Sequence, residues 1–234
     1  MANDVFDKKL QRIVGQIRYR PTIATFNGVS VLAKELEAKF EEWRAPKHDD
    51  ITLYSPKVKK LLQVGFDTIT YLNESEENTQ ELISYLKPVF EKCTSSLEVN
   101  NIRRIGFRNT QILTCAFKFQ ELNDLIFRKF YSGNKDFKSI SSDLPRETVF
   151  ILDGTKNGFQ NHVQIGPVNR EEALKFYNSG FDVDKDSIGD TNLFVDVDVF
   201  QLEGLNSKNT IERLEDSVKE NLRIIRDYIK YLTQ

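Results

Sequence analysis

Two hydrophobic periods alternate along the chain, and their order restricts the set of compatible folds. Between residues 13 and 20 apolar and polar residues alternate, as in a half-buried strand, and the pattern stops at Pro21. After an Asn27-Gly28 turn, apolar residues recur every three or four positions from Val31 to Trp43. This spacing predicts an amphipathic helix that ends at Ala45-Pro46.

The strand period then returns, and a second helix follows it. Residues 51–72 alternate well enough to form two or three short antiparallel strands. In the segment 78–93, Asn78 and Glu81 form a capping-box pattern in front of an apolar stripe. We therefore predict a second helix over this segment.

The same succession restarts in the second half of the chain. Residues 104–111 have strand alternation, and residues 119–130 have a helical stripe. Three further strands are predicted at 148–152, 161–168 and 193–200. Turns are predicted at Asp153-Gly154 and Asn157-Gly158. A long amphipathic helix closes the chain, with Asn209 as its predicted N-cap and Glu212 three residues later.

The order of elements is β-α-β-β-(β)-α followed by β-α-β-β-β-α. It predicts one domain over 1–234, built from two pseudo-repeat halves at about 10–98 and 101–234. Strand groups interleaved with single helices are typical of the α+β class, so we expect a twisted antiparallel sheet with helices packed on one face. No Gly/Ser/Pro-rich linker separates the halves, and residues 134–146 are the nearest approach to a loop hinge.

Three short motifs resemble a sporadically distributed bacterial family of uncharacterised proteins of similar length. They are Ile17-Arg18-Tyr19-Arg20-Pro21, the central Arg103-to-Asn109 segment and the late Asp196-x-Asp198 strand, with the amphipathic C-terminal helix behind them. The family's central motif is Arg-x-Gly-Leu-Arg-Tyr-x-Asn-like, and here Phe107 replaces the Leu and Asn109 the Tyr. The resemblance implies no activity, but it implies a gene neighbourhood of the mobile-element, toxin-antitoxin or defence type.

Charge is distributed unevenly between the predicted strands. Residues 8–20 hold five basic side chains and no acid, and residues 101–120 hold four and no acid. Residues 181–205 instead hold seven acids and one lysine. Oppositely charged stretches are natural partners across a sheet, and Arg forms two-point contacts with carboxylates better than Lys does.

Asp196 and Asp198 share one face of the late strand with Phe194 and Phe200, so free solvation of both carboxylates is not expected. The interpretation we favour is a structural ion-pair network with arginines of the basic strands. The alternative is a polar groove whose arginines bind a phosphate, a carboxylate or an acidic residue of a partner. The predicted ligand-binding set is Arg18, Arg104, Arg108, Asn109, Asp196 and Asp198.

The sequence favours a non-catalytic protein over an enzyme. It has no G-x-S-x-G, no H-E-x-x-H and no phosphate-binding glycine loop, so we predict no catalytic residue, no metal ligand and no cofactor. The Asp182-x-Asp184-x-Asp186 run fails as a calcium loop because Ser187 and Leu193 stand where Gly and Glu are required, which leaves at most a weak cation site. Asp196 and Asp198 also leave open a magnesium site of the phosphodiesterase or nuclease kind.

The function predicted first is protein binding or regulation, with another protein as the partner. A nucleic-acid or nucleotide-phosphate binder that uses the arginine-lined sheet face is the alternative, and a metal-dependent phosphodiesterase or nuclease is the second. With 33 basic and 35 acidic residues, net charge −2 favours neither nucleic acid nor a membrane. Two cysteines without C-x-x-C spacing and no long apolar run predict a cytoplasmic protein with free thiols and no membrane partner, and the oligomeric state stays open.

Overall fold

The described residues of the computed structural model, 5–47, 50–75, 79–131, 145–176, 181 and 185–234, form nine strands. These strands make one twisted, open antiparallel sheet in the order β2-β3-β4-β5-β1-β6-β9-β8-β7. The predicted α+β class is therefore confirmed. The strands are β1 (Phe6–Tyr19), β2 (Glu42–Lys47), β3 (Asp50–Ser55), β4 (Lys60–Gly65), β5 (Thr68–Asn73), β6 (Ile102–Cys115), β7 (Phe150–Lys156), β8 (Phe159–Asn169) and β9 (Thr191–Gln201).

Five α-helices accompany the sheet in the described part of the chain. They are α1 (Ile23–Leu36), α2 (Thr79–Ser96), α3 (Phe119–Tyr131), α4 (Arg170–Phe176) and α5 (Thr210–Thr233). Asn78, residues 134–144, Asp182 and Asp184, on which predictions were made, lie outside the described residues. Asn209 precedes α5 as predicted, but its Oδ1 accepts from the backbone N–H of Asn206 and does not cap the helix.

The two longest strands, β1 and β6, pair at the centre of the sheet. Their register runs from Phe6 opposite Cys115 to Tyr19 opposite Ile102. Residues 10–98 and 101–234 thus contribute to one continuous sheet. In each range a central strand is followed by a helix and then by strands that return to it, so that β5 lies beside β1 and β9 beside β6. The pseudo-repeat itself stays a prediction.

The four long helices cover one sheet face, and the core lies beneath them. Ile17, Ile105 and Phe107 on the central strands are fully buried on this face, in one cluster with Leu214 and Val218 of α5. The other end of α5 packs on a second cluster, which includes Leu113, Val195 and Val197. Burial of each such side chain stabilises the fold by roughly 1.5–3 kcal/mol.

The short helix α4 is an exception to the predicted one-sided arrangement. Ala173 packs with Ile112 of β6 and Phe194 of β9, whose side chains point away from the long helices. The ring of Phe176 stacks on Phe194 with centroids 4.4 Å apart. We call this second face, which has Arg104, Arg108, Asp196 and Asp198 in its middle, the open face.

The turn of the β7–β8 hairpin is at Asn157-Gly158, and the second predicted turn, at Asp153-Gly154, is wrong. Asn157 and Gly158 have φ angles of 54° and 81°, the left-handed values that a two-residue hairpin turn requires. Gly154 lies inside β7 opposite Asn161. An Asp-Gly pair is common in turns, but the pairing register of β7 with β8 places Asp153-Gly154 inside the strand.

The first helix begins earlier and ends earlier than predicted. Thr22 caps α1, since its Oγ1 accepts from the N–H of Thr25 at 3.1 Å and the Thr25 hydroxyl accepts from the N–H of Thr22. Gly28 lies inside α1 and not in a turn. A Cβ at this position would lie 3.0 Å from Cδ2 of Leu97, which follows the end of α2. The glycine lets the two elements approach closely. The helix ends at Leu36, and Trp43 belongs to the edge strand β2.

Candidate functional site

Two arginine-aspartate pairs occupy the middle of the open face, on β6 and β9. Arg104 donates from Nη2 to both carboxylate oxygens of Asp198, at 3.0 and 2.9 Å. Arg108 donates from Nε and Nη2 to Asp196, with the shortest contact 2.8 Å. The structure thus brings together four of the six residues predicted as a ligand-binding set.

Each arginine pairs diagonally across the strands. In the ladder, Arg108 is directly opposite Asp198, yet its side chain reaches Asp196, and Arg104 takes Asp198. Gly106 lies between the two arginines on the same face and provides the space for this arrangement. A Cβ at Gly106 would lie 2.7 Å from Nη1 of Arg104. The guanidinium also lies over the ring of Phe200, 4.9 Å from its centroid, in cation-π geometry.

The two carboxylates differ in their surroundings. Asp196 is 1% exposed and also accepts a hydrogen bond from the Thr110 hydroxyl at 2.6 Å, whereas the side chain of its partner Arg108 is 55% exposed. The hydrogen bond to Asp196 raises the pKa of Arg108 above its ordinary value. Burial raises the pKa of Asp198, and Arg104 and Arg108 offset that effect only in part. Arg108 therefore screens the carboxyl group of Asp196 from solvent, whereas the Asp198 side chain stays 21% exposed.

Gln16 joins the third predicted arginine to this network. Its Oε1 accepts from Nε of Arg18 at 2.7 Å and from Nη1 of Arg104 at 3.2 Å, and its Nε2 donates to Thr70. Gln16 is absent from the predicted set, although the alternation of β1 places it on the face of Arg18. Arg18 itself is exposed, and no described carboxylate forms an ion pair with it.

Asn109 is not part of this set. It lies on the helix-covered face, fully buried, where its Oδ1 accepts from Nε2 of Gln11 at 3.2 Å. The reason is the two-residue period of a strand: Asn109 follows Arg108 directly, so its side chain points to the opposite side. A ligand on the open face cannot touch it.

The chemistry of this face is that of charge pairing. Both aspartates have arginine partners, which leaves their oxygens poorly placed to hold a cation. Among the described residues no group of three or more His, Cys, Asp or Glu side chains converges on a possible metal position. His162 contacts Asp153 through Nδ1 at 2.7 Å, but no serine, threonine or cysteine in the described ranges hydrogen-bonds to the imidazole. The arrangement of these side chains is that of a structural ion-pair network more than that of a reaction centre.

A second surface is apolar, and the sequence patterns did not predict it. Ile23 and Phe26 at the start of α1 are 81% and 61% exposed, and Val31 and Trp43 are each 59% exposed. The apolar spacing predicts a helix only from Val31 onward, which leaves Ile23 and Phe26 in a loop. The Pro21-Thr22 start signal, followed by Thr25, Val29 and Leu32 at helical spacing, is the pattern that could have revealed them.

A groove lies beside α1, and Trp43 is the exposed apolar residue of this set that lines it. A cavity of about 250 Å³ separates α1 from β2 and β3, with Lys34 and Trp43 at its mouth and Leu53 in its floor. Isolated exposed apolar residues are common on proteins, but four large ones along one helix and its neighbouring edge strand are not. We call Ile23, Phe26, Val31 and Trp43 the α1 surface.

Basic side chains lie at the start of the α1 surface. Arg18, Arg20 and Arg103 are exposed where β1 ends and β6 begins, and the N–H of Arg20 donates to the carbonyl of Asn101 at 2.8 Å. None of the three arginines has an ion pair with a described carboxylate. The α1 surface therefore begins beside positive charge that the described part of the protein leaves unneutralised.

Comparison with known proteins gives no lead to a function. No protein-family model matches the chain, and no curated protein matches it either. In the part of the chain that the structure describes, no helix combines the length and the apolar character that crossing a bilayer requires. The open face and the α1 surface are the grounds for a functional proposal.

Proposed function

We propose that this protein is a non-catalytic binding protein that recognises an apolar segment of another protein, flanked by acidic residues, on the α1 surface. The observation that supports this most is the exposure of Ile23 and Phe26, which a chain of this size has no folding reason to leave in water. Two apolar anchors on successive turns are the usual means by which a helix surface contacts a partner.

The basic side chains at the start of the α1 surface indicate which charge the partner carries. Arg20 and Arg103 have no described acidic partner, so carboxylates of a bound segment would meet positive potential as Ile23 and Phe26 are covered, whereas Arg18 points to the open face. The resemblance to the bacterial family adds the expectation that the partner is encoded near this protein. Regulation of that partner is the activity we propose.

Phosphate binding on the open face has less support. Arg104 and Arg108 already share their donors with Asp198 and Asp196, and an incoming phosphate would compete with carboxylates that are partly or fully buried. The metal-dependent alternative meets the same obstacle from the other side, since a cation would have to displace the guanidinium groups.

The test uses two double variants that change the protein's charge equally. Ile23→Asp/Phe26→Asp alters the α1 surface, and Ile151→Asp/Leu202→Asp is the control, which changes two exposed apolar residues outside that surface. Binding of purified products of adjacent genes is measured by surface plasmon resonance. We expect micromolar or tighter binding by the wild type and the control, and at least a tenfold loss in the α1 variant, about 1.4 kcal/mol or more.

Selection from a random peptide library gives a second arm that needs no gene neighbour. Enriched peptides should combine Leu, Ile or Phe with Asp or Glu, and should lose binding to the Ile23→Asp/Phe26→Asp variant. Peptides or gene products that bind this variant as tightly as the wild type would disprove the proposal. Enrichment of basic peptides would also contradict it.

A further inference from the structure

A cavity of about 650 Å³ lies on the helix side of the edge strand β7, between α3 and α5. It is remote in sequence and in the sheet from the α1 surface, since β7 and β2 are opposite edges. Its volume falls within the range of small-molecule sites, roughly 300–1,000 Å³. No part of the proposed protein-binding function uses it.

The floor of the cavity is aromatic. The rings of Phe130 and Phe150 stack with centroids 4.1 Å apart, and Tyr228 lies 5.7 Å from Phe150 and 6.0 Å from Phe130. Tyr231 completes the cluster at 5.6 Å from Phe130. Such a floor offers flat ring surfaces that favour a planar aromatic group.

The polar groups of the floor leave one donor without a partner. The hydroxyl of Tyr231 donates to the carbonyl of Lys129 at 2.8 Å, whereas the Tyr228 hydroxyl makes no hydrogen bond to a described residue. Burial raises the pKa of Tyr228, so that its phenol stays protonated and keeps its donor at neutral pH. A ligand oxygen could accept from it.

The charged side chains around the cavity that form no ion pair with a described residue are lysines. Arg223 is used internally, since it donates to Glu220 at 2.6 Å and to Asp227 at 2.7 Å. Lys129 lies with Nζ 5.2 Å above the Tyr231 ring, and neither it nor Lys156 forms an ion pair with a described carboxylate. The ammonium group of Lys129 thus lies beside the aromatic floor without a fixed counter-charge, whereas Lys156, at the other end of β7, is close enough to Glu220 to lower the pKa of that carboxyl.

We infer that this cavity binds a planar aromatic molecule that carries a carboxylate or a phosphate, with its ring against the Phe130, Phe150 and Tyr228 cluster and its anionic group at Lys129. Contact with the aromatic rings orients the planar group, and the ammonium group of Lys129 selects the anion. Gly154 of the edge strand adds no side chain to the wall, so its backbone leaves the cavity open on that side.

The first experiment compares probes of one shape and different charge. Isothermal titration calorimetry with the full chain measures binding of 2-naphthoate, 2-naphthyl phosphate and the neutral 2-naphthamide. We expect one or both anions to bind at least tenfold more tightly than the amide, and the preference between the anions identifies the natural anionic group. Equal affinities for all three probes, or no binding of any up to about 10 mM, would overturn the inference.

The second experiment changes the protein. Lys129→Gln should weaken binding of the anion about tenfold or more and leave the amide unchanged, whereas the control Lys208→Gln, on the loop before α5, should leave both unchanged. Leu152→Trp, at an exposed position in the wall, should block all probes by filling the cavity. Undiminished anion binding in either cavity variant would refute the site.

Discussion

The guanidinium group of Arg104 lies directly over the backbone of Gly106, where a single added methyl group would approach Nη1 to 2.7 Å. From that position it reaches Asp198 on the neighbouring strand and the Phe200 ring beside it. The missing side chain at residue 106 is therefore what permits the diagonal pairing of β6 with β9. The glycine of the central motif thus has a steric explanation.

Replacing Gly106 should release this pairing. We expect Gly106→Ala to destabilise the fold by about 1–2 kcal/mol, because Arg104 must move and Asp198 loses its hydrogen bonds. In an Arg104→Ala background the same change should have no destabilising effect, since alanine suits a strand better than glycine does. Urea unfolding of the four proteins of this cycle measures the coupling, and additive effects would contradict the steric explanation.

The second pair should matter more for stability than the exposure of its arginine suggests. Arg108→Ala leaves Asp196, 1% exposed, with only the Thr110 hydroxyl as donor, and we expect a loss of about 3 kcal/mol. Arg18→Ala is the matched control on the same face and should change stability by no more than about 0.5 kcal/mol. Chemical denaturation distinguishes the two, and equal losses would show that Asp196 does not depend on Arg108.

Local patterns predicted most of this sheet because its central strands have one face buried beneath the long helices. The alternation in residues 104–111 and 193–200 decided which side chains of β6 and β9 share a face, and that in turn brought Arg108 and Asp196 together. The same rule places Asn109 on the face opposite Arg108 and so separates it from the rest of the predicted set. Periodicity predicts which sheet face a side chain lies on. It does not predict that each arginine pairs with the diagonal aspartate and not with the residue directly opposite.

Other features depend on contacts between distant segments, which the sequence does not display. Gly28 follows an asparagine, as in many turns, but the reason for the glycine is the approach of Leu97, which lies beyond the second helix. The order of nine strands and the pairing of β1 with β6 are equally non-local. The cavity beside β7 arises from that arrangement, so it could not be predicted from spacing alone, whereas the start signal at Pro21-Thr22 was available for the first turn of α1.

The raised pKa of Asp198 predicts that the free energy of unfolding depends on pH. The sign of that dependence shows whether burial or ion pairing has the larger effect on this carboxyl. In the unfolded chain this carboxyl ionises near 3.8, and burial raises its pKa in the fold. Between the two values the folded protein binds more protons, so this group's contribution is fully present below 3.8 and is lost as pH rises through the folded pKa. The wild type should therefore lose stability relative to Asp198→Asn as pH rises from about 4 to 7.

Urea unfolding of both proteins at several pH values in that interval measures the difference. Asn at position 198 does not titrate, so contributions common to both proteins cancel. A difference that moves in favour of the wild type with rising pH would mean that Arg104 outweighs burial and holds the pKa of Asp198 below its ordinary value.

The cysteines should differ in their reactivity. Cys93 is fully buried in α2, and burial raises the pKa of its thiol to about 12, so the reactive thiolate is scarce at neutral pH. Cys115 is only half-buried, although burial raises its pKa as well. We expect a maleimide to modify Cys115 slowly in the native protein and Cys93 only on unfolding. Mass spectrometry of the Cys115→Ser variant isolates Cys93, and rapid native labelling of that variant would contradict the packing of α2.

Asn221 fixes α5 to the seam between the two strands that carry the ion pairs. Its Nδ2 donates to the carbonyl of Phe107 on β6 at 3.1 Å and to that of Val197 on β9 at 2.6 Å, and the side chain is fully buried. A carboxylate at this position would face two carbonyl oxygens with no donor to offer. The NH2 end of the amide is therefore matched to its site by chemistry, whereas Oδ1 is buried without a hydrogen-bond partner among the described residues.

Two substitutions at this position separate these contributions. Asn221→Leu removes both hydrogen bonds but adds apolar contact, and we expect it to destabilise the fold by about 1–3 kcal/mol. Asn221→Asp should be more harmful at neutral pH, because it buries a charge beside two acceptors, and should recover toward Asn221→Leu as the pH falls and the carboxyl is protonated. Thermal unfolding at about pH 7 and about pH 4.5 measures both. An aspartate variant as stable as the leucine variant at neutral pH would show that α5 shifts to admit water at the seam.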